Sequence, residues 1–462
     1  MGPWHPTARL AGVPCAVFAL TAATIRKTVR TRTLDTHELA RSRVLHHTGG
    51  LRPPCAEEAM HAAAPLHLVR ASARGLSPLS PLFSLAALVG LAGCDAPVAD
   101  AGPRVNREAW HDIDDPSLID DDFEYVLDEL PTSGEAKQVP WPGSYWPTYR
   151  DGINERWDGD DTRSPAEKYA AAFGKSGVED AVSRRYGVDS LTLDPTCRRD
   201  SDCKQPEGSV CAKRRGEKTG RCSETWFGIC DAWAPAAILE PEPRRSVTHN
   251  GVEFKVNDLK ALISISYTAG LEVRYVSLRC NDSGKDGDLG DVEACKDTNP
   301  GTFHVVAANL LGLRGESFIE DRTYDYEVWN QPVRSFKVTK NVELTPAQAN
   351  ALLGASGDHY AFNPKAAGLR QIRTELRWVA ESPSYLDGPL LDDIGQFTMH
   401  ERYDYVLELD DDGEIVGGEW LGASRTNHPD FLWRPVKKRS AVAVDVIDYD
   451  DIKQLLDQSA EP

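Results

Sequence analysis

The chain has 462 residues, of which 41% are hydrophobic and 27% are charged, and its formal net charge is -19 at pH 7. These fractions are typical of a globular protein and exclude a chain that is disordered throughout. Binding to nucleic acid or to an anionic membrane surface needs clustered lysine and arginine, so the acidic balance argues against both as main partners. No apolar run reaches the roughly 18 residues that a membrane-spanning helix requires.

Residues 1–94 have the features of a leader. A basic stretch precedes a short apolar run at 79–92, which ends in small residues followed by Cys94. This order is typical of a bacterial lipoprotein signal, in which the cysteine becomes the lipidated first residue of an exported protein. The alternative is a short buried helix with a chance cysteine. Residues 1–59 lack these features, so Met60 is the expected start and residues 1–59 are expected to be untranslated.

The rest of the chain divides into three parts by composition. Residues 95–138 are dense in Asp, Glu, Pro and Gly and predict an acidic, flexible tether. Residues 139–440 form the predicted folded domain, and residues 441–462 form a predicted acidic tail. A lipid-anchored protein at the bacterial envelope, or one that is secreted, fits this order, with the membrane reached only through the anchor.

The predicted elements of the domain place helices before strands. Ser164, Pro165 and Glu167 form the capping box of a first helix. Asn257 and Asp258 are predicted to cap a further helix that contains Leu259, Leu262 and Ile263, and Thr345-Pro346 is predicted to open another over 347–353. Strands are predicted at 303–306, 326–338 and 369–379, followed by a hairpin of 403–409 and 414–420 around an Asp-Asp-Asp-Gly turn. Helices followed by an antiparallel sheet indicate the α+β class.

The ten cysteines sort into groups by their surroundings. Three lie in the leader, and Cys280 and Cys295 bracket a polar loop as a predicted disulfide. Four lie in a basic insertion at 197–222 that has too few apolar residues to fold on a core of its own: Cys197, Cys203, Cys211 and Cys222. Two disulfides are expected there, with the pairing left open and a zinc site as the alternative. Cys230 remains without a partner.

An unpaired thiol in an exported protein is either a reactive group or a buried spectator. Aromatic residues and Gly228 precede Cys230, and an Ala-rich run follows it, so the sequence predicts a turn and then a helix start. A thiol at a helix N-terminus is expected to have a lowered pKa, and the free N–H groups there provide an oxyanion hole. Cys230 is therefore the predicted nucleophile.

A thiol nucleophile needs a base, and the base needs an orienting acceptor. His304 opens the predicted strand at 303–306, and Asp321 lies at the start of the next strand. Cys230, His304 and Asp321 then stand in the order of helix, strand and next strand. His428 and His359 are rival bases, and Asn330 is the rival orienting group.

The segment 328–338, Val-Trp-Asn-Gln-Pro-Val-Arg-Ser-Phe-Lys-Val, resembles the surface elicitor peptide of oomycete cell-wall transglutaminases, with Ser335 in place of Gly. The similarity extends over roughly residues 141–440. The chain therefore resembles the transglutaminase elicitor family, and the resemblance implies a papain-like core. The resemblance implies a calcium-dependent enzyme in which Cys230 forms a thioester with a glutamine side chain and passes the acyl group to lysine. It gives His304 the role of base and Asp321 that of orienting group, and Trp226 or Trp233 would wall the site.

The partners that this resemblance implies are proteins with accessible glutamine and lysine. Two other functions remain open: a papain-like cysteine peptidase or glutamine deamidase that uses the same residues, and a catalytically silent surface binding protein. A loop at 281–291 alternates acids with glycines, which suits calcium. Its candidate ligands are Asp282, Asp286, Asp288 and Asp291, although its spacing differs from an EF-hand and a solvated acidic loop is the alternative.

Overall fold

A computed structural model describes residues 111–204, 208–279, 298–323 and 326–460. The leader, Cys94 and the predicted pair Cys280 and Cys295 lie outside these residues. None of the described helices is both long and apolar enough to cross a membrane.

The α-helices of the described residues are α1 (Pro165–Phe173), α2 (Val178–Tyr186), α3 (Cys230–Leu239), α4 (Val256–Ser266), α5 (Pro300–Ala307), α6 (Pro346–Leu353) and α7 (Tyr449–Ala460). A π-helical segment, Ala308–Arg314, continues α5.

The strands are β1 (Ser133–Glu135), β2 (Thr196–Cys197), β3 (Val210–Ala212), β4 (Gly220–Ser223), β5 (Val247–His249), β6 (Val252–Phe254), β7 (Leu271–Val276), β8 (Ile319–Asp321), β9 (Asn330–Glu343), β10 (Gly368–Val379), β11 (Thr398–Leu409), β12 (Ile415–Trp420), β13 (Leu432–Lys438), β14 (Val442–Ala443) and β15 (Ile447–Asp448).

One antiparallel sheet organises the molecule, with the strand order β12-β11-β10-β9-β8-β13-β7. The long strand β9 pairs with β10 on one side, and with β8 and β1 on the other. Helices α1 to α4 precede most of this sheet in the chain, so the predicted α+β class is confirmed.

The sheet carries a hydrophobic core on each face. Strand β13 shows the alternation, because Trp433 packs in the core that contains α3 and α4, whereas Leu432 packs in the core that contains α5. Both residues are almost fully buried. A side chain on α3 and a side chain on α5 are therefore separated by the sheet.

Most of the predicted elements are confirmed, and the capping residues explain why. At the start of α1, the Ser164 hydroxyl accepts a hydrogen bond from the Glu167 N–H, and the Glu167 carboxylate accepts one from the Ser164 N–H. Thr345 caps α6 in the same way. The hairpin of β11 and β12 pairs as predicted. Helix α4 already begins at Val256, so the predicted cap at Asn257 and Asp258 lies inside the helix; Asp258, at the third helical position, accepts from the Lys255 N–H.

The predicted strand at 303–306 is wrong, because these residues belong to α5. Asn299 caps that helix by accepting from the Gly301 N–H, and Pro300 occupies the first helical position. Every residue of α5 is buried. A short apolar run that is buried on all sides has no periodicity that separates helix from strand. Likewise, β9 begins at Asn330 rather than at 326.

Two predicted boundaries are also wrong. Within the predicted tether, residues 111–138 are packed onto the domain, and Phe123, Leu127 and Leu130 are buried in the core around α5. The predicted acidic tail contains α7, whose Leu455 and Leu456 are buried in the core around α4. Both segments contain a few well-spaced apolar residues among many acidic ones. Composition counts residue types and does not show that spacing, so it does not predict that the segments pack.

The insertion at 197–222 is held by two disulfides, as predicted. Cys197 pairs with Cys211, and Cys203 pairs with Cys222. Its strands β2, β4 and β3 form a small separate sheet. The zinc alternative fails because these four thiols are oxidised and so are not available as thiolate ligands.

Candidate active site

Cys230 is the first residue of α3 and is the one free cysteine among the described residues. The residue before it, Ile229, donates its N–H to the carbonyl of Tyr145 at 2.7 Å and accepts from Trp233 at 2.9 Å. Gly228 is required at this turn, because a Cβ there would lie 2.4 Å from the Tyr145 carbonyl oxygen. The turn followed by a helix is therefore as predicted. The side chain of Cys230 is buried, however, with the residue 7% exposed.

Two groups of the β9 segment contact the sulfur. The Asn330 side chain donates from Nδ2 to Sγ at 3.5 Å, and the thiol in turn lies 3.8 Å from the carbonyl oxygen of Val328. The indole of Trp433 donates to Oδ1 of Asn330 at 2.8 Å, which fixes the amide so that its nitrogen points at the sulfur. Asn330, given by the sequence only as a rival orienting group, is thus a direct contact of the nucleophile.

The thiol has a raised pKa, contrary to the prediction. Burial is the largest cause, and the negative charge of Asp231 adds to it, while the Asn330 amide acts in the opposite direction. The N–H of Ala232 donates to the Ile229 carbonyl at 3.1 Å, and burial raises the pKa of the Asp231 carboxyl to about 7. This first-turn N–H was expected to help stabilise the thiolate, and it is paired with the backbone instead. Cys230 is therefore a neutral thiol in this structure.

Asp321 lies close to Asn330 through the pairing of β8 with β9. It is paired directly with Asn330 between β8 and β9, so the two side chains share the face on which α3 packs. Its Oδ1 accepts from the Trp329 N–H at 2.8 Å, while Oδ2 is buried without a partner. Burial raises its pKa well above the usual value, and Asp430 adds to the effect. Asp321 is thus next to the residue that contacts the sulfur, and its described bonds go to the backbone and to a threonine.

His304 is not brought to Cys230. Its Nδ1 lies 2.8 Å from the hydroxyl of Tyr405, and burial lowers its pKa to about 4. It lies in α5, among residues of the core on the opposite face of the sheet from α3. The predicted pair of Cys230 and His304 is therefore wrong, because it depended on His304 being in a strand next to Asp321.

Neither rival histidine replaces it. His428 is buried, stacks on Trp420 and has its Nδ1 2.6 Å from the Ser424 carbonyl, and burial lowers its pKa to about 4. His359 is exposed in the loop after α6. Within the described ranges, no histidine forms a hydrogen bond with the sulfur.

The aromatic residues near the Cys230 segment differ from those predicted to wall the site. Trp329 stands beside Tyr145, with ring centroids 5.5 Å apart, next to the Val328 carbonyl. Trp226 is partly exposed and meets Tyr326 edge-on at 5.7 Å. Trp233 is fully buried one turn along α3, so it packs in the core and does not form a wall of the site.

Glu381 is a site residue that the sequence analysis missed. It follows β10, and Gln331 donates to its Oε1 at 2.6 Å. Burial raises its pKa to about 7, and its negative charge is close enough to raise the pKa of the Cys230 thiol. No local pattern marks this glutamate, because only the pairing of β9 with β10 brings its segment to Cys230.

The described residues do not form a metal site. In these ranges, the one group of three or more metal-ligating side chains within 4.8 Å of one another is Cys197, Cys203 and Cys222, which are in disulfides. The candidate calcium ligands Asp282, Asp286, Asp288 and Asp291 lie outside the described residues.

Comparison with known proteins identifies relatives of the chain. The family model for transglutaminase elicitor matches residues 117–462. Among solved structures, the chain is similar to the GP42 transglutaminase from Phytophthora sojae, with 43% sequence identity and a TM-score of 0.64, over 73% of this chain and 94% of that chain. No curated protein matches. The family match begins inside the predicted tether and ends beyond the predicted tail boundary, in agreement with the packing of both segments.

Proposed function

Because the chain belongs to the transglutaminase elicitor family, we propose that it is a protein-glutamine γ-glutamyltransferase. It transfers the acyl group of a glutamine side chain to a primary amine through a thioester on Cys230. The observation that carries this proposal is the placement of Cys230: an unpaired thiol at the start of α3, held by an amide from β9. Strand β9 contains most of the segment that resembles the elicitor peptide.

The first half of the reaction is acylation of Cys230. The sulfur attacks the carboxamide carbon, the C–N bond breaks, and the thiol proton leaves with the nitrogen as ammonia. Nδ2 of Asn330 donates to the sulfur, so it stabilises the thiolate relative to the thiol. Its orientation is secured by Trp433, whose indole N–H occupies the other end of the amide.

The closed resting site is consistent with an enzyme whose thiol ionises only when substrate arrives. The Val328 carbonyl lies 3.8 Å from the sulfur, and burial holds the thiol neutral. A glutamine side chain that enters has to displace this segment. Displacement removes the thiol's contact with the Val328 carbonyl and leaves the Asn330 amide facing the sulfur.

Three further features belong to the same proposal. Calcium is the expected cofactor, with support only from the family resemblance and the acidic loop at 281–291. Export with a lipid on Cys94 has support only from the signal sequence. The partners are proteins with accessible glutamine and lysine.

One observation favours a second candidate, a catalytically silent surface binding protein. The sulfur has a raised pKa and contacts no histidine in the described parts of the chain. In that case the family fold would be kept without the chemistry, and Cys230 would be unreactive in the intact protein.

The deciding experiment measures incorporation of a labelled primary amine into a glutamine-bearing protein, with and without calcium. The wild type is expected to incorporate the amine, and Cys230→Ala is expected to lose incorporation entirely. Full incorporation by Cys230→Ala would refute the mechanism. Ammonia release without amine uptake would indicate a deamidase, and cleavage of the protein substrate would indicate a peptidase. No turnover together with an unreactive thiol would favour the binding protein.

A further inference from the structure

The second half of the reaction places a specific demand on the site. A lysine side chain arrives as an ammonium ion, because its usual pKa is about 10.4. An ammonium nitrogen has no lone pair and cannot attack a thioester until it loses a proton. The site therefore needs a group close to Cys230 that attracts the cation and accepts its proton.

Glu381 has the position for this role. Its carboxyl is held by Gln331, the chain neighbour of the Asn330 that contacts the Cys230 sulfur, and its negative charge raises the pKa of that thiol and of Tyr145. The Gln331 amide donates to Oε1 of Glu381 at 2.6 Å. Glu381 is partly exposed, whereas Cys230 is buried.

Two further acceptors adjoin this carboxyl without partners of their own. Oε1 of Gln331, on the amide that holds Glu381, is buried and receives no hydrogen bond, and the same is true of the hydroxyl oxygen of Ser382. Both residues are less than 5% exposed. Ser382 is fixed by its N–H, which donates to the Gly143 carbonyl at 2.9 Å. Buried acceptors without donors are costly, and an ammonium group supplies three donors.

We propose that Glu381, together with Gln331 and Ser382, binds the ammonium group of the acyl acceptor beside Cys230. This inference rests on the proposed acyltransferase function and names the residues that select a cationic amine. The carboxylate provides the charge and the two neutral oxygens accept the remaining N–H groups.

The chemical step balances with these groups alone. The Glu381 carboxylate takes one proton from the ammonium, which gives a neutral amine. The amine nitrogen attacks the thioester carbon, the C–S bond breaks, and its electron pair goes to the sulfur. The second nitrogen proton goes to the sulfur and regenerates the thiol, while the third stays on the isopeptide nitrogen. The Glu381 carboxyl then loses its proton to solvent. A carboxyl whose pKa is near 7 exchanges protons readily at neutral pH.

The test compares two acyl acceptors in Glu381→Gln. Cadaverine is cationic, whereas hydroxylamine is largely uncharged at neutral pH and needs no ammonium site. The variant is expected to lose about tenfold or more in kcat/KM for cadaverine, the loss expected for one charge-assisted hydrogen bond. The loss with hydroxylamine is expected to be much smaller. Ser382→Ala, a milder change, is expected to raise KM for cadaverine selectively. Glu375→Gln is the matched control on β10, since Glu375 pairs with Arg377 and takes no part in the site.

A binding measurement separates this inference from the proposed function. Cadaverine is expected to slow alkylation of Cys230 by iodoacetamide in the wild type and not in Glu381→Gln. Without cadaverine, the variant should be alkylated at least as fast as the wild type, because the charge that raises the thiol pKa is gone. If no amine is incorporated but protection persists, the function is wrong and the ammonium site stands. Equal losses with both acceptors, or equal protection in the variant, would overturn the ammonium site.

Discussion

Replacing Asn330 by alanine removes the side chain that, among the described residues, donates to the Cys230 sulfur from the sheet. Asn330 donates to the Cys230 sulfur at 3.5 Å and accepts from the Trp433 indole at 2.8 Å, and it is only 4% exposed. The substitution therefore deletes two bonds with separate consequences. One affects the thiolate, and the other affects the stability of the fold.

The two losses have different magnitudes. A hydrogen bond from a neutral donor to a charged group contributes roughly 1.5–3 kcal/mol, so formation of the thiolate and amine incorporation should fall by about one to two orders of magnitude. The buried N–H of Trp433 is left without an acceptor, which costs about 1–3 kcal/mol of unfolding free energy. The variant should thus remain folded while losing most of its activity.

The assay pairs urea unfolding with the rate of Cys230 alkylation and with amine incorporation. Asn309→Ala is the matched control, because Asn309 is equally buried and bonds to Glu124 and Val305 on the opposite face of the sheet. The control should lose stability and keep the alkylation rate. If Asn330→Ala loses stability to the same extent as Asn309→Ala but alkylates and turns over like the wild type, Asn330 only supports the fold.

Three further outcomes are expected. Both carboxyl oxygens of Glu320 are buried without partners and its pKa is raised to about 8, so it weakens the fold as pH rises from its usual pKa towards 8. Glu320→Gln should therefore raise the unfolding free energy more at pH 8 than at pH 5, and a pH-independent effect in urea titrations would contradict this. Reduction of the Cys197–Cys211 and Cys203–Cys222 disulfides should expose the insertion to trypsin while the rest of the domain resists, because the insertion has little core of its own. Uniform digestion would argue against this. Chelation of calcium should abolish amine incorporation and added calcium should restore it, whereas unchanged activity in chelator would remove calcium from the proposal.

Local chemistry explains which elements were predictable. The capping boxes of α1 and α6 and the hairpin of β11 and β12 involve residues close in sequence, so their patterns are complete within a short window. The misplaced element, α5, is fully buried, and its apolar run carries no period. The segments 111–138 and 441–462 were misassigned because their acidic composition outweighs the few leucines and isoleucines that anchor them.

The features of the candidate site also divide into local ones and ones that depend on distant strands. The turn and helix start around Cys230 are local, and cysteine accounting isolates its thiol without any structure. The groups that act on the sulfur come from distant strands: Asn330 from β9, its support Trp433 from β13, and Glu381 from the end of β10. Sequence order alone suggested His304, which the sheet separates from the thiol.

By itself, the sequence determined the family, the α+β class, the two disulfides of the insertion and the identity of the free thiol. These depend on residue type and on spacing along the chain. Only the tertiary structure decided the disulfide pairing, the face of the sheet on which each candidate lies and the protonation of the thiol. Those properties depend on strand register and burial: one position of register reverses the face of a side chain, and burial together with the charge of Asp231 holds the Cys230 thiol neutral.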